Sequence, residues 1–209
     1  MNEYQKAYYR KRGEVLVRNL KKRHFEAYYC DNTSDALAMA LELIPEGASV
    51  GWGGAMSAQQ IGLIDAVNAG NYRAIDRSKY EDREQAMREC LLADVFISGA
   101  NALSMDGEMV NIDGTGNRVA AIVYGPKSVI VIAGMNKVMD ALEDAVTRAR
   151  TVAAPINQQR FLLDNPCTAT GACADCISKT CICNQILITR HCRPEGRIKF
   201  ILVGEDLGM

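Results

Sequence analysis

The chain has 209 residues, enough for one large domain with a core of its own. Hydrophobic residues make up 48% and charged residues 23%, which excludes an intrinsically disordered chain. The formal net charge of -1 gives no global basic field for nucleic acid or anionic lipid, and no apolar run reaches the roughly 18 residues of a membrane span.

Residues 2–24 read as a basic amphipathic helix. Tyr9, Gly13, Leu16 and Leu20 recur on one face, and Lys6, Arg10, Lys11, Arg12, Arg18, Lys21, Lys22 and Arg23 fill the rest. The sharp reading is a helix that binds anions or nucleic acid. The plain reading, a solvated face or one packed on a partner subunit, is favoured, because few aromatics stand by for stacking. The opening Asn2-Glu3-Tyr4-Gln5-Lys6 is no secretory signal, so a cytoplasmic location is expected.

Strand and helix then alternate. Phe25–Cys30 predicts a strand, and Asn32 or Thr33 can cap a helix carrying Leu37, Ala40, Leu41 and Ile44. Pro45-Glu46-Gly47 breaks it. Ser49–Trp52 predicts a strand that runs into Gly53 and Gly54, and Ser57 can cap a helix through Ile64. Tyr72–Ile75 reads as a strand, Glu81–Leu92 as a helix, and Val95–Ser98 and Glu108–Ile112 as strands. Val129–Ala133 has the unbroken apolar character of a central parallel strand. Val138, Leu142, Ala145 and Ala149 mark the next helix, and Ile198–Val203 the last strand. The pattern predicts an α/β fold: a mostly parallel sheet sandwiched by helices over residues 25–209, with a cysteine-rich segment at 166–193.

Four segments carry candidate chemistry. Gly51-Trp52-Gly53-Gly54-Ala55-Met56-Ser57 joins a strand to a helix, so Gly53 and Gly54 let the backbone approach an anion. It is neither a phosphate-binding loop of Walker type nor a dinucleotide fingerprint, and tight geometry alone would also explain it. The run Ser98–Arg118 is dense in Asp, Asn and Gly at strand ends, where ligands of open α/β sheets sit. Asp106 and Glu108 are the candidate acid or base, Asn101 and Asn117 candidate ligand contacts, and Arg118 the candidate anion fork. Two reverse turns at Asp106-Gly107 and Asp113-Gly114 would account for part of this pattern. In Gly134-Met135-Asn136-Lys137, Asn136 reads as a helix N-cap. Lys137 then falls in a first turn where the helix dipole disfavours it, which hints at a site.

Eight cysteines are present, and six lie between Cys167 and Cys192. With no export signal, metal is the better reading than disulfides or redox thiols. The pair Cys173-x2-Cys176 has a metal-site bite, and Cys181 and Cys183 complete four thiolates, with Cys167, Cys192 and His191 as further candidates. Thiolates accept zinc or an iron–sulfur cluster, and the spacing matches no common ferredoxin. Cys30 and Cys90 read as small buried hydrophobes.

These segments resemble the LUD (lactate utilization) domain family over nearly the whole chain. The resemblance rests on Gly51–Ser57, the run from Ile97 to Arg118, Tyr124–Lys127, Ala133–Lys137 and the closing Leu202–Gly208. It implies a fold similar to that of the ribose-phosphate isomerase, glucosamine-phosphate deaminase and CoA-transferase group. It implies a setting in bacterial oxidation of lactate to pyruvate, beside iron–sulfur oxidoreductase partners. The cysteine tail marks one branch of the family. No catalytic residue comes with the resemblance. Three functions stay open: a protein that binds a small anionic metabolite, an iron–sulfur electron-transfer component, and a zinc-stapled sensor or assembly protein. A homo-oligomer fits any of them.

Overall fold

A computed structural model describes residues 1–209. Helix α1 spans Glu3–Lys22. Asn2 Oδ1 accepts from the Gln5 amide at 2.9 Å, and Gln5 Oε1 accepts from the Asn2 amide at 3.0 Å, so two free N–H groups are satisfied reciprocally. Gly13, Leu16 and Leu20 bury the apolar stripe. Part of the basic face is paired: Arg10 with Asp31 at 2.5 Å, Arg12 with Asp140 at 2.7 Å, and Arg23 with Glu108.

In chain order there follow β1 (Glu26–Cys30), α2 (Thr33–Glu42), β2 (Ser49–Trp52), α3 (Met56–Gln60), α4 (Leu63–Ala69), β3 (Arg73–Ile75), α5 (Arg83–Glu89) and β4 (Val95–Gly99). The middle of the chain forms β5 (Ala102–Ser104), β6 (Met109–Asp113), α6 (Asn117–Val123), β7 (Ser128–Gly134), β8 (Val138–Met139) and α7 (Leu142–Arg148). The rest forms α8 (Ala154–Gln158), α9 (Pro166–Thr170), β9 (Gln185–Thr189) and β10 (Ile198–Val203).

Six strands make one parallel sheet in the order β1-β10-β7-β4-β2-β3. Val129 and Val131 of β7 face a core with Phe96, Phe200, Leu16 and Leu20. Ile130 and Ile132 face the opposite core with Val50, Ile97, Ile201 and Ala40. That alternation, with both faces covered by helices, is why β7 reads as an unbroken apolar run. A second, mixed sheet, β8-β5-β6-β9, lies beyond the first.

Several expected elements differ. The helix expected from Ser57 through Ile64 is two short helices, because Gly62 takes a left-handed conformation between them. The helix expected over 81–92 ends at Glu89 and tightens into a 3-10 turn at Cys90–Leu92. Asn136 is no helix cap: Met135–Lys137 is a 3-10 turn, Val138 starts β8, and the next helix opens at Leu142. The dipole argument for Lys137 therefore does not hold. No helix is long and apolar enough to cross a membrane.

Candidate functional site

Strands β2, β4 and β7 end side by side, and a cavity of about 470 Å³ opens beyond their carboxyl ends. Gly54, Met56 and Ser57 line it after β2, Gly99, Ala100 and Asn101 after β4, and Lys137 after β7. The second sheet adds Ile112, Asp113 and Gly114 from the end of β6, with Asn117 and Arg118 from α6. Arg77 follows β3, Arg83 opens α5, and Arg160 follows α8. Five cationic side chains thus face the cavity against one acidic side chain, Asp113, which is already engaged.

Arg118 is nearly buried and rigidly held. Its Nε donates to Asp113 Oδ1 at 2.8 Å, and its Nη2 donates to Asn101 Oδ1 at 2.9 Å and to the Ile112 carbonyl at 2.6 Å. Its Nη1 has no partner within the protein and is free for a ligand of the cavity. Asp113 Oδ2 accepts from the Val119 amide at 3.0 Å, which satisfies an open N–H at the start of α6. Asn101 ties the site together: Oδ1 also accepts from the Ile112 amide, and its carbonyl accepts from Arg148 at 2.6 Å. Gly53 stands behind Arg118. A Cβ there would lie 3.1 Å from the Arg118 Cβ, so glycine is what lets the two elements approach. Asn117 sits at the mouth and accepts from Thr115 at 3.0 Å.

Lys137 is 4% exposed. Its Nζ donates to Ser57 Oγ at 3.1 Å and to the Ala100 carbonyl at 3.1 Å, and it meets no carboxylate. Burial, with the Arg148 and Arg118 charges adding to it, brings the amine down to about 7. Gly208 covers this pair: a Cβ there would stand 2.5 Å from Nζ and 2.7 Å from Ser57 Oγ. Asn136 lies outside the cavity and holds this cover in place. Its Oδ1 accepts from the Leu207 amide at 3.1 Å, and its Nδ2 donates to the Leu207 carbonyl at 3.4 Å.

The two acids proposed for proton transfer are elsewhere. Asp106 and Glu108 occupy the turn between β5 and β6, away from the cavity lining. The Asp106 carbonyl accepts from Arg23 at 2.6 Å, and Glu108 is bonded to both Arg23 and Ser104. They fasten α1 to the second sheet. Sequence reasoning missed Ser57 as a cavity residue, having read it only as a cap. It also missed Arg77, Arg83 and Arg160, whose charges look like ordinary surface residues in the sequence.

Five cysteines meet at a second, smaller cavity of about 80 Å³: Cys167, Cys173, Cys176, Cys181 and Cys183. All eight cysteines are free thiols. Burial pushes Cys183 up to about 12, with Cys181 and then Cys173 and Cys167 adding to it, while hydrogen bonds from Ser178 lower Cys176. Cys192 is not among them. It is buried under β10, where its Sγ accepts from the Ile198 amide at 3.2 Å. His191 pairs edge-on with His24 instead. No group of three or more His, Cys, Asp or Glu side chains is arranged to hold a single ion. The thiols share a wall without converging on one point. Gln158, 1% exposed, lines the same cavity with both amide atoms unpartnered. Ile182 lines both cavities and separates them.

Fold and site together define an α/β sandwich with a cationic crevice at the strand ends and a thiol-lined cavity beside it. The chain belongs to the LUD domain family, whose model matches residues 13–203. A DUF162 family protein from Deinococcus radiodurans has a similar fold, with a TM-score of 0.51 at 9% identity over 95% of this chain and 97% of that one. A ribose 5 phosphate isomerase A from Neisseria gonorrhoeae overlaps 53% of this chain and 54% of its own, at 19% identity and a TM-score of 0.35. No curated protein sequence matches the chain.

Proposed function

We propose that this LUD protein binds a small organic anion in the 470 Å³ cavity and serves organic-acid metabolism of the lactate-utilization type in the bacterial cytoplasm. One observation carries the reading: Arg118 is pinned by three partners with Nη1 left over, inside a cavity whose only acidic side chain is spent on that same arginine. A guanidinium held this way presents Nη1 to a carboxylate with little further loss of entropy. Asn101 positions the fork, and Lys137 and the outer arginines supply charge. Titration calorimetry with lactate, pyruvate and inorganic phosphate tests it. At least one carboxylate is expected to bind, and Arg118→Lys to weaken it by ~10–100-fold, the value of one charged hydrogen bond. An unchanged affinity in Arg118→Lys, or no binding of any of the three, overturns the reading.

A second reading adds to the first and rests on Gln158. A buried amide with no partner, turned into a cavity of five thiols, is costly unless an occupant accepts from it. Four of Cys167, Cys173, Cys176, Cys181 and Cys183 would hold an iron–sulfur cluster, whose sulfides accept hydrogen bonds and which supplies one-electron chemistry. Iron and acid-labile sulfide in anaerobically purified protein, lost in Cys176→Ser and kept in Cys192→Ser, would support the cluster. Zinc alone would make the segment a structural staple, and neither metal would leave the thiols to redox chemistry.

A further inference from the structure

We infer that Lys137 is a nucleophile whose amine condenses with the carbonyl group of a small 2-oxo acid held in the cavity by Arg118. This deepens the anion-binding reading and rests on it.

The hydrogen bonds around Nζ are those of a neutral amine. An ammonium has three N–H donors, whereas an amine has two and a lone pair. Nζ has two acceptors, Ser57 Oγ and the Ala100 carbonyl, and no third. The charged groups that bear on it, Arg148 and Arg118, are both cationic, and burial acts in the same direction. A lysine desolvated and flanked by cations is the arrangement that keeps an amine nucleophilic near neutral pH.

The partner must carry an anion next to an electrophilic carbon. Lys137 is anchored on the carbonyl of Ala100, and Arg118 on the side chain of Asn101, the next residue. Both residues line the same cavity, and the Arg118 charge is close enough to bear on Nζ. In the proposed complex a carboxylate takes Arg118 Nη1 and its adjoining carbon faces Nζ. In a 2-oxo acid that carbon is the carbonyl. An extended sugar phosphate would separate its anion from its carbonyl by several atoms.

The step is a condensation and needs no oxidant. The Nζ lone pair forms a bond to the carbonyl carbon, and the C=O π electrons move to oxygen, which takes up a proton. Loss of that oxygen as water, with a second proton, leaves a C=N bond to Lys137. The Ser57 hydroxyl, 3.1 Å from Nζ, is placed to pass the proton from nitrogen to the departing oxygen. The reverse reaction restores the amine.

The test uses full-length protein, pyruvate as the probe and sodium borohydride, which reduces the C=N bond irreversibly. Intact mass should rise once per chain, by the mass of pyruvic acid less one oxygen atom, and only when both reagents are present. Peptide mapping should place the adduct on Lys137. Lys137→Met should abolish it while melting cooperatively, and Lys137→Arg guards against a loss of fold. Pyruvate that binds by calorimetry without forming an adduct overturns the nucleophile and leaves the anion site standing. Adducts spread over exposed lysines, or retained in Lys137→Met, overturn it too. If pyruvate and other small carboxylates do not bind, the anion reading falls and this inference with it.

Discussion

At one end of β6, Glu108 pairs with Arg23; at the other, Asp113 pairs with Arg118. Both pairs are largely buried, with side-chain exposures of 19% and 12% for the first and 10% and 9% for the second. A strand of five residues rises about 17 Å, so the two carboxylates cannot serve one site. The arginines differ in what they have left. Arg23 uses Nε on the Asp106 carbonyl, Nη1 on the Arg190 carbonyl and Nη2 on Glu108. Arg118 keeps Nη1 free and lines a cavity. A buried ion pair whose arginine has all three nitrogens engaged is a fastening. The same pair with one nitrogen unengaged is half of a binding site.

The largest effect should come from breaking the fastening. Glu108→Ala leaves Arg23 buried without its charge partner, which costs about 3–5 kcal/mol. For a chain of this size that is on the order of 10 °C in melting temperature. Anion affinity, measured below the transition, should not change. A stable Glu108→Ala protein that no longer binds carboxylates would put Glu108 in the site and end the comparison.

Lys137 tests the cavity end through pH. In the folded chain its ammonium is destabilised and its pKa falls to about 7, against an ordinary 10.5. Between those values the unfolded chain binds more protons than the folded one, so stability rises with pH from about 7 to about 10.5. Below about 7 both states are protonated, and the full cost of the buried charge is present. Denaturation of the native protein should show that rise, and the difference from Lys137→Met isolates it from other groups. A difference that stays flat across the range would mean that Nζ is not desolvated.

Arg118→Lys should act on binding more than on folding. The ammonium still pairs with Asp113, but the rigid fork is lost, so the ~10–100-fold loss of carboxylate affinity should come with a smaller fall in melting temperature than in Glu108→Ala. Equal falls in the two variants would make Arg118 a second fastening.

Much of this was legible in the sequence. The parallel strands Ser49–Trp52 and Val129–Ala133 announce themselves by apolar character, and Asn101, Arg118 and Lys137 stand out at strand ends. The second sheet was not legible. β5 and β8 are three and two residues long, too short for a period, and β9 hides in the cysteine segment. Without that sheet, Asp106, Glu108 and Arg118 look like one cluster. The turn reading held at Asp106-Gly107, where the Gly107 amide donates to the Ser104 carbonyl, and missed at Asp113, whose carboxylate binds Arg118 and opens α6. Cys192 looked like its neighbours in spacing, and only tertiary packing under β10 removes it from the thiol cavity.

The smallest effect should come from the basic residues that have no such partner. Lys21 and Lys22 lie in the last turn of α1, exposed, next to Arg23 in sequence. They act through the partial negative charge of the helix's carboxyl end, with Glu26 close enough to feel Lys21 as well, and salt screens both effects. Replacing both with alanine should lower the melting temperature by about 2 °C at low ionic strength, and by less in high salt. Carboxylate affinity should stay the same, because neither residue reaches the cavity. Arg23→Ala, one residue further on, should instead fall as far as Glu108→Ala. If the double lysine variant matched Arg23→Ala, charge on this helix rather than the pairing with Glu108 would be what holds α1 to the second sheet.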